Sequence, residues 1–232
     1  VILIATTLTT FAMAGEETWA SWLRNAEAMR ESHPEGVSFF AAIETDARGL
    51  EPFKPLLARL AELGGEWWEY RLDDRRTSIG TLSRLRHIVC GQNLCTDFAV
   101  AAGASHLLFL AADLEPPPDA IPKLLELQWP IVGGEVTTYC LSGKPVEGYA
   151  FPVEAHMATA AFVMMERAVF NQLRWRWDRE AGMSDDPCLH HDALTLLGIE
   201  TYVRKDCIGI HHPTSIGAIE TRFPGRDMTV YR

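Results

Sequence analysis

The 232-residue chain predicts an α/β domain, a three-layer α/β/α sandwich around a mostly parallel central sheet. Through the first half, short apolar, β-rich runs alternate with longer segments whose apolar residues recur at helical spacing. Glycine or proline closes most of these segments. With 47% hydrophobic and 22% charged residues, the chain has the composition of a packed domain rather than a disordered one. Strands alternating with helices imply parallel pairing and right-handed crossovers.

Val1–Thr7 is a continuous apolar run and reads as a strand buried on both faces. Glu16–Arg30 follows as a helix with Trp19, Leu23, Ala26 and Met29 on one side, broken by Pro34 and Gly36. Val37–Ile43 is the second strand. Leu50–Leu63 is a helix with Phe53, Leu57 and Leu60 on one face, stopped by Gly64 and Gly65. Glu66–Leu72 is the third strand, and Ile79–Ala102 contains a helix that ends near Gly103. Ser105–Leu110 is the fourth strand, followed by three prolines from Pro116 and a short helix to about Leu127.

The second half is less regular. Ile131–Tyr139 and Met157–Met165 read as strands, Asp186–Leu197 as a helix ended by Gly198, and Glu200–Val203 and Ile208–His211 as two short strands. No repeat, low-complexity tract or linker divides the chain. It is expected to form one domain, 1–232, with a first half, 1–115, and a second half, 116–232.

A net charge of −10 and a pI near 5.3 argue against nucleic acid or anionic membrane as the partner chosen by the overall field. Two arginine clusters, Arg71/Arg75/Arg76 and Arg174/Arg176/Arg179, remain as local exceptions. Five cysteines without a C-x-x-C spacing favour free thiols and a reducing, cytoplasmic setting. No apolar run reaches the ~18 residues of a membrane helix, so no membrane anchor is expected.

In an open α/β sheet, ligands bind beyond the carboxyl ends of the strands. The stretch that begins at His106, HLLFLAADLEPPPD, ends a buried strand on two acids, Asp113 and Glu115. Carboxylates there can hold Mg²⁺ or Mn²⁺ shared with the phosphates of a ligand. The plainer alternative is that both acids solvate a loop before a proline-capped helix. Asp185 and Asp186 likewise suit the first turn of a helix on capping and dipole grounds alone.

These stretches, in this order, resemble the GT-A-type glycosyltransferases, and the resemblance runs over nearly the whole chain. The segment around Asp113 is similar to their D-x-D region, with Ala111 where the first acid would stand. The resemblance implies Asp113 as a metal ligand, Glu115 as a second carboxylate in a shifted register, and Ala112 beside them in the donor site. Arg84–Ala102 resembles the helix before D-x-D, which puts Arg84, Gln92 and Asn93 near the donor. Thr6 and Thr7, after the first strand, and Glu44, Thr45 and Asp46, after the second, fall where the family binds base and ribose.

The stretch from Gly182 to His212 resembles the family's acidic pair, helix and terminal histidine. That makes Asp185 or Asp186 the general base, with Asp186 preferred as the second acid of the pair, and His211 a further metal ligand. His190 and His191 are read as structural. The strands around Val132–Glu135 and Ala158–Glu166 fall on the acceptor side. Trp175–Asp178 is either an acceptor wall or, slightly favoured, a patch packed on the sheet.

The implied activity is a metal-dependent, inverting hexosyl- or pentosyltransferase. It would use Mn²⁺ or Mg²⁺ and a nucleotide-sugar donor such as a UDP-sugar. The acceptor would be a glycan or another hydroxyl-bearing molecule, modified DNA being disfavoured by the acidic charge. A nucleotidyltransferase is a weaker alternative, because no Lys or Arg lies in Thr6–Gly15. Ala111 favours a third, a binding protein that keeps the fold without the activity.

Overall fold

The computed structural model describes the chain except residues 10–15, 34–35, 46–48, 73–80, 140–144, 151–158, 160, 179, 181–184 and 212–232. Its elements are β1 (Ile2–Thr9), α1 (Glu16–Ser32), β2 (Val37–Glu44), a 3₁₀ turn (Glu51–Phe53), α2 (Lys54–Glu62), β3 (Glu66–Tyr70) and α3 (Thr81–Ala101). They continue with β4 (His106–Leu110), β5 (Leu114–Glu115), α4 (Ala120–Glu126), β6 (Ile131–Tyr139), β7 (Pro145–Ala150) and β8 (Phe162–Glu166). The described chain ends with α5 (Arg167–Phe170), α6 (Asp185–Leu197) and β9 (Tyr202–His211).

The strands form one nine-stranded sheet in the order β3-β2-β1-β4-β8-β6-β9-β5, with β7 paired to β6. The β3-β2-β1-β4 half is parallel, as alternating strands and helices require. The other half is not. β8 runs antiparallel to both β4 and β6, β9 is parallel to β6, and β5 is antiparallel to β9. The sheet is therefore mixed, which corrects the expectation of a mostly parallel one. A parallel pair needs a crossover of about a dozen residues or more, usually helical. Between β6 and β8 no helix intervenes among the described residues, and the strands pair head to tail.

Alternation along each strand builds the three layers. Ile2, Ile4 and Leu8 of β1, Phe39, Ala41 and Ile43 of β2, and Leu108 and Leu110 of β4 join one core with α1, α2 and α4. Leu3 and Ala5, Phe40 and Ala42, and Leu107 and Phe109 join a second core with α3, α5 and α6. The α1 face read from the sequence is the buried one, since Trp19, Leu23, Ala26 and Met29 all lie in the first core, joined by Trp22. Side chains buried on both faces are why these strands read as unbroken apolar runs.

Two local differences, and one helix end that falls where expected, have physical causes. The helix expected over 50–63 opens as a 3₁₀ turn, with prolines in the first positions of both the turn and α2. The helix α3 ends in a left-handed glycine, Gly103 at φ 67°. There the Ala104 N–H donates to the Ala99 carbonyl (3.0 Å) and that of Gly103 to Val100 (3.1 Å), which closes the last turn. The two strands expected near the end are one strand, β9. Its pairing with β6 jumps from Arg204 to Ile208 while β6 advances one residue, from Gly134 to Glu135. Arg204 braces this bulge, its guanidinium bound to the Asp206 carboxylate at 2.7 and 3.1 Å and to Glu126 at 2.7 Å.

Candidate active site

The helix α3 lies over the carboxyl ends of β1 and β2. Gly91 lets it approach, because a Cβ there would stand 2.6 Å from Thr7 Cγ2 and 2.9 Å from the Tyr70 hydroxyl oxygen. Glu44 ends β2, is 4% exposed, and its Oε1 is bonded to Nδ1 of His87, itself 3% exposed. The Tyr70 hydroxyl donates to the His87 carbonyl at 3.0 Å, and the Thr45 hydroxyl donates to Glu69 at 2.7 Å. Glu44, Thr45 and His87, all buried, thus make a polar floor at this end of the sheet.

Of the residues expected at the nucleotide, Glu44 and Thr7 stand at this floor. Thr6 does not. The strand β1 runs two residues past Thr7, so Thr6 lies inside it, 1% exposed, alternating with Ile4 and Leu8 toward the α1 face. Asp46 and the Arg84 side chain lie outside the described residues.

Two residues of α3 reach the second half of the chain. Gln92, 3% exposed, donates its Nε2 to Asp185 Oδ2 at 2.8 Å. The Asn93 amide is engaged with the main chain of Trp175, donating to its carbonyl and accepting from its N–H, both at 2.9 Å. Asn93 therefore fastens the Trp175 segment to α3. Trp175 is buried and packs edge-on against Phe109 with centroids 5.1 Å apart, as a residue of a patch packed on the sheet does.

The acidic pair opens α6, with Asp185 buried and Asp186 half-buried. The partial positive charge of a helix amino terminus favours carboxylates there. Two turns on, Asp192 accepts both Nε and Nη2 of Arg176 at 2.7 Å. That bond is the main reason the guanidinium pKa is raised above its ordinary value. The helix is thus tied to α3 at one end and to the 173–178 segment along its length.

The loop after β4 carries the residues expected at a metal. Ala112 is fully buried in the α1-side core, so only its main chain is available to a ligand. Asp113 is half-buried and Glu115 exposed. The β5–β9 pairing sets the His211 backbone opposite Leu114, and the His211 side chain lies outside the described residues. Alternation puts Glu115 on the face opposite the buried Leu114. Asn25 of α1 donates to the Leu114 carbonyl at 3.0 Å, and Ser32 to that of Pro118 at 2.6 Å, so α1 braces this loop.

Among the described residues no group of three or more His, Cys, Asp or Glu is arranged to hold a metal. One half-buried carboxylate, Asp113, fits a cation that takes most of its ligands from phosphates and water.

Three contributors escaped sequence reading. His87 is one histidine on a long helix, Asn25 one polar residue on another, and Arg176 one of three clustered arginines. Each acquires its meaning from a partner at least 16 residues away.

No protein-family profile and no curated protein matches the sequence. Solved structures do match. The crystal structure of GalNAc-T7 with UDP, GalNAc and Mn²⁺ superposes with a TM-score of 0.50 at 9% identity, over 90% of this chain and 43% of that one. The glycosyltransferase GlyE of Streptococcus pneumoniae gives 0.40 at 12% identity, over 89% and 46%. A nucleoside-diphosphate-sugar pyrophosphorylase of Vibrio cholerae gives 0.46 at 11%, over 91% of both chains. The chain thus spans less than half the length of the first two proteins. At such identities the likeness concerns architecture, and the architecture is that of the GT-A-type glycosyltransferases.

Proposed function

We propose that the protein transfers a hexosyl or pentosyl group from a nucleotide sugar, a UDP-sugar in the first instance, to an acceptor hydroxyl with inversion. The observation that carries this reading is the Gln92–Asp185 bond. It joins the helix over the ends of β1 and β2, where a nucleotide would sit, to the acidic start of α6, where an acceptor would be activated. The GT-A-type architecture and the acids at 113 and 115 support the same reading.

The donor nucleotide lies over the ends of β1, β2 and β4, with Thr7 and Glu44 at its base and ribose and Arg84 toward its sugar. A divalent cation, Mn²⁺ or Mg²⁺, held by Asp113 and His211, supplies neutralising charge at the diphosphate when bound. The acceptor oxygen attacks the anomeric carbon from the face opposite the nucleoside diphosphate. A new C–O bond forms as the bond to the phosphate oxygen breaks. Asp186, in the first turn of α6, takes the hydroxyl proton. The acceptor is a glycan or another small hydroxyl-bearing molecule. The four described cysteines are free thiols, which suits action in a reducing compartment such as the cytoplasm. No described helix is long and apolar enough to cross a membrane.

UDP release from a panel of UDP-hexoses and UDP-N-acetylhexosamines with Mn²⁺, with water or simple glycosides as acceptor, tests this. Wild type should turn over at least one donor, and Asp186→Asn should lower the rate about 100-fold or more with donor affinity little changed. Near wild-type transfer by Asp186→Asn removes it as the base. Ala111 favours one alternative, a protein that binds the donor without consuming it. Stabilisation by UDP-sugars with no turnover would mark that outcome.

A further inference from the structure

Adjacent residues on a helix diverge by about 100°, so Asp185 and Asp186 cannot present their carboxylates in the same direction. The structure settles where the first one goes. Asp185 is 9% exposed and accepts the 2.8 Å hydrogen bond from Gln92. Asp192, seven residues on, shares this helical stripe and is held by Arg176. Leu189, between them on the stripe, is buried in the α3-side core. The helix is fastened along one line at its first turn and again two turns later. Asp186 lies on its flank, half-buried.

Gln92 itself is placed rigidly. Gly91 beside it is locked against Thr7 and Tyr70, and Asn93 against the Trp175 main chain. Its own carbonyl accepts from the Thr96 hydroxyl at 3.0 Å, while its side-chain Oε1 has no partner among the described residues. The Nε2 bond to Asp185 is thus the polar contact that orients the side chain.

We propose that Gln92 is a positioning residue for transfer: by holding Asp185 as the anchor of α6, it presents Asp186 to the acceptor. Asp185 then needs to be an acceptor for Gln92 and not a base. This rests on the transferase reading above and assigns the two acids different tasks within it.

The test is a reciprocal exchange. Gln92→Leu removes the bond. Gln92→Glu combined with Asp185→Asn restores it with donor and acceptor reversed, the asparagine amide donating to the glutamate. UDP release from the same UDP-sugar panel with Mn²⁺ gives kcat and donor KM, and thermal unfolding reports folding. Gln92→Leu should lower kcat about 10- to 100-fold with donor KM changed far less, because misplacement acts on the reacting geometry. The exchanged pair should recover at least tenfold of that loss. Should Gln92→Leu fail to fold, the exchanged pair, which retains a polar bond at the site, carries the test against wild type.

A folded exchanged pair as inactive as Asp186→Asn would overturn the proposal, since Asp185 would then be needed as an acid in its own right. An unchanged kcat in Gln92→Leu would overturn it as well. Wild type that turns over no UDP-sugar defeats the transferase reading and the proposal with it. Active wild type beside an inactive exchanged pair defeats the proposal alone.

Discussion

Glu44 and His87 show how much one pair can determine. Both are almost wholly buried, and they bond to each other at the end of the sheet where a nucleotide would bind. Removing one partner of a buried polar pair takes a hydrogen bond from the other while it stays desolvated. His87→Leu should therefore destabilise the protein by about 3 kcal/mol, measured by urea denaturation. Unaltered stability would show that Glu44 is held well enough by its other contacts. The sequence offered half of this pair. A polar residue at the end of a strand is expected to face a ligand, and Glu44 stands there. Nothing local marks His87, because its partner is 43 positions away.

Among the elements, β6 and β9 pack where glycine permits it. A Cβ on Gly134 would stand 2.1 Å from the Phe162 ring and 2.5 Å from the Cys207 carbonyl oxygen. A Cβ on Gly209 would meet Leu114 at 2.8 Å and Phe162 at 3.1 Å. The ring of Phe162 occupies the space these glycines leave, which holds β8, β6 and β9 together in the mixed half of the sheet. Overpacking of this kind is destabilising, and here one neighbour is backbone that cannot rotate away. Gly134→Ala should destabilise by about 3 kcal/mol in thermal or urea unfolding. Adding Phe162→Leu should recover only part of the loss, because the Cys207 carbonyl remains. Full recovery would place the whole conflict at the ring. The Val132–Glu135 strand was legible as a strand, but the purpose of its glycines was not, since a sequence does not show which ring will lie across them.

At the scale of the molecule, the proposed site draws on both halves, which converge on the carboxyl ends of β1, β2 and β4. The β4 half of the sheet supplies Asp113, the far edge brings His211 into register with Leu114, and α1 braces the loop between them through Asn25. Asp113→Asn should abolish the extra thermal stabilisation that Mn²⁺ gives in the presence of UDP, while the unliganded protein melts within a few degrees of wild type. Equal metal-dependent shifts in mutant and wild type would remove Asp113 from the site.

The sequence by itself determined the order of strands and helices in the first half, the buried face of α1 and the two acidic stretches. Those are local properties: hydrophobic period, glycine and proline punctuation, and charge at the end of an apolar run. It did not determine that β8 runs against β4 and β6, because strand direction depends on which strands meet, and a buried apolar strand reads the same either way. Nor did period or charge separate Asp185 from Asp186, which the family resemblance alone ranked. Both suit a helix start equally, and only the packing of α6 against α3, which brings Gln92 to Asp185 across 93 positions, makes the two acids different.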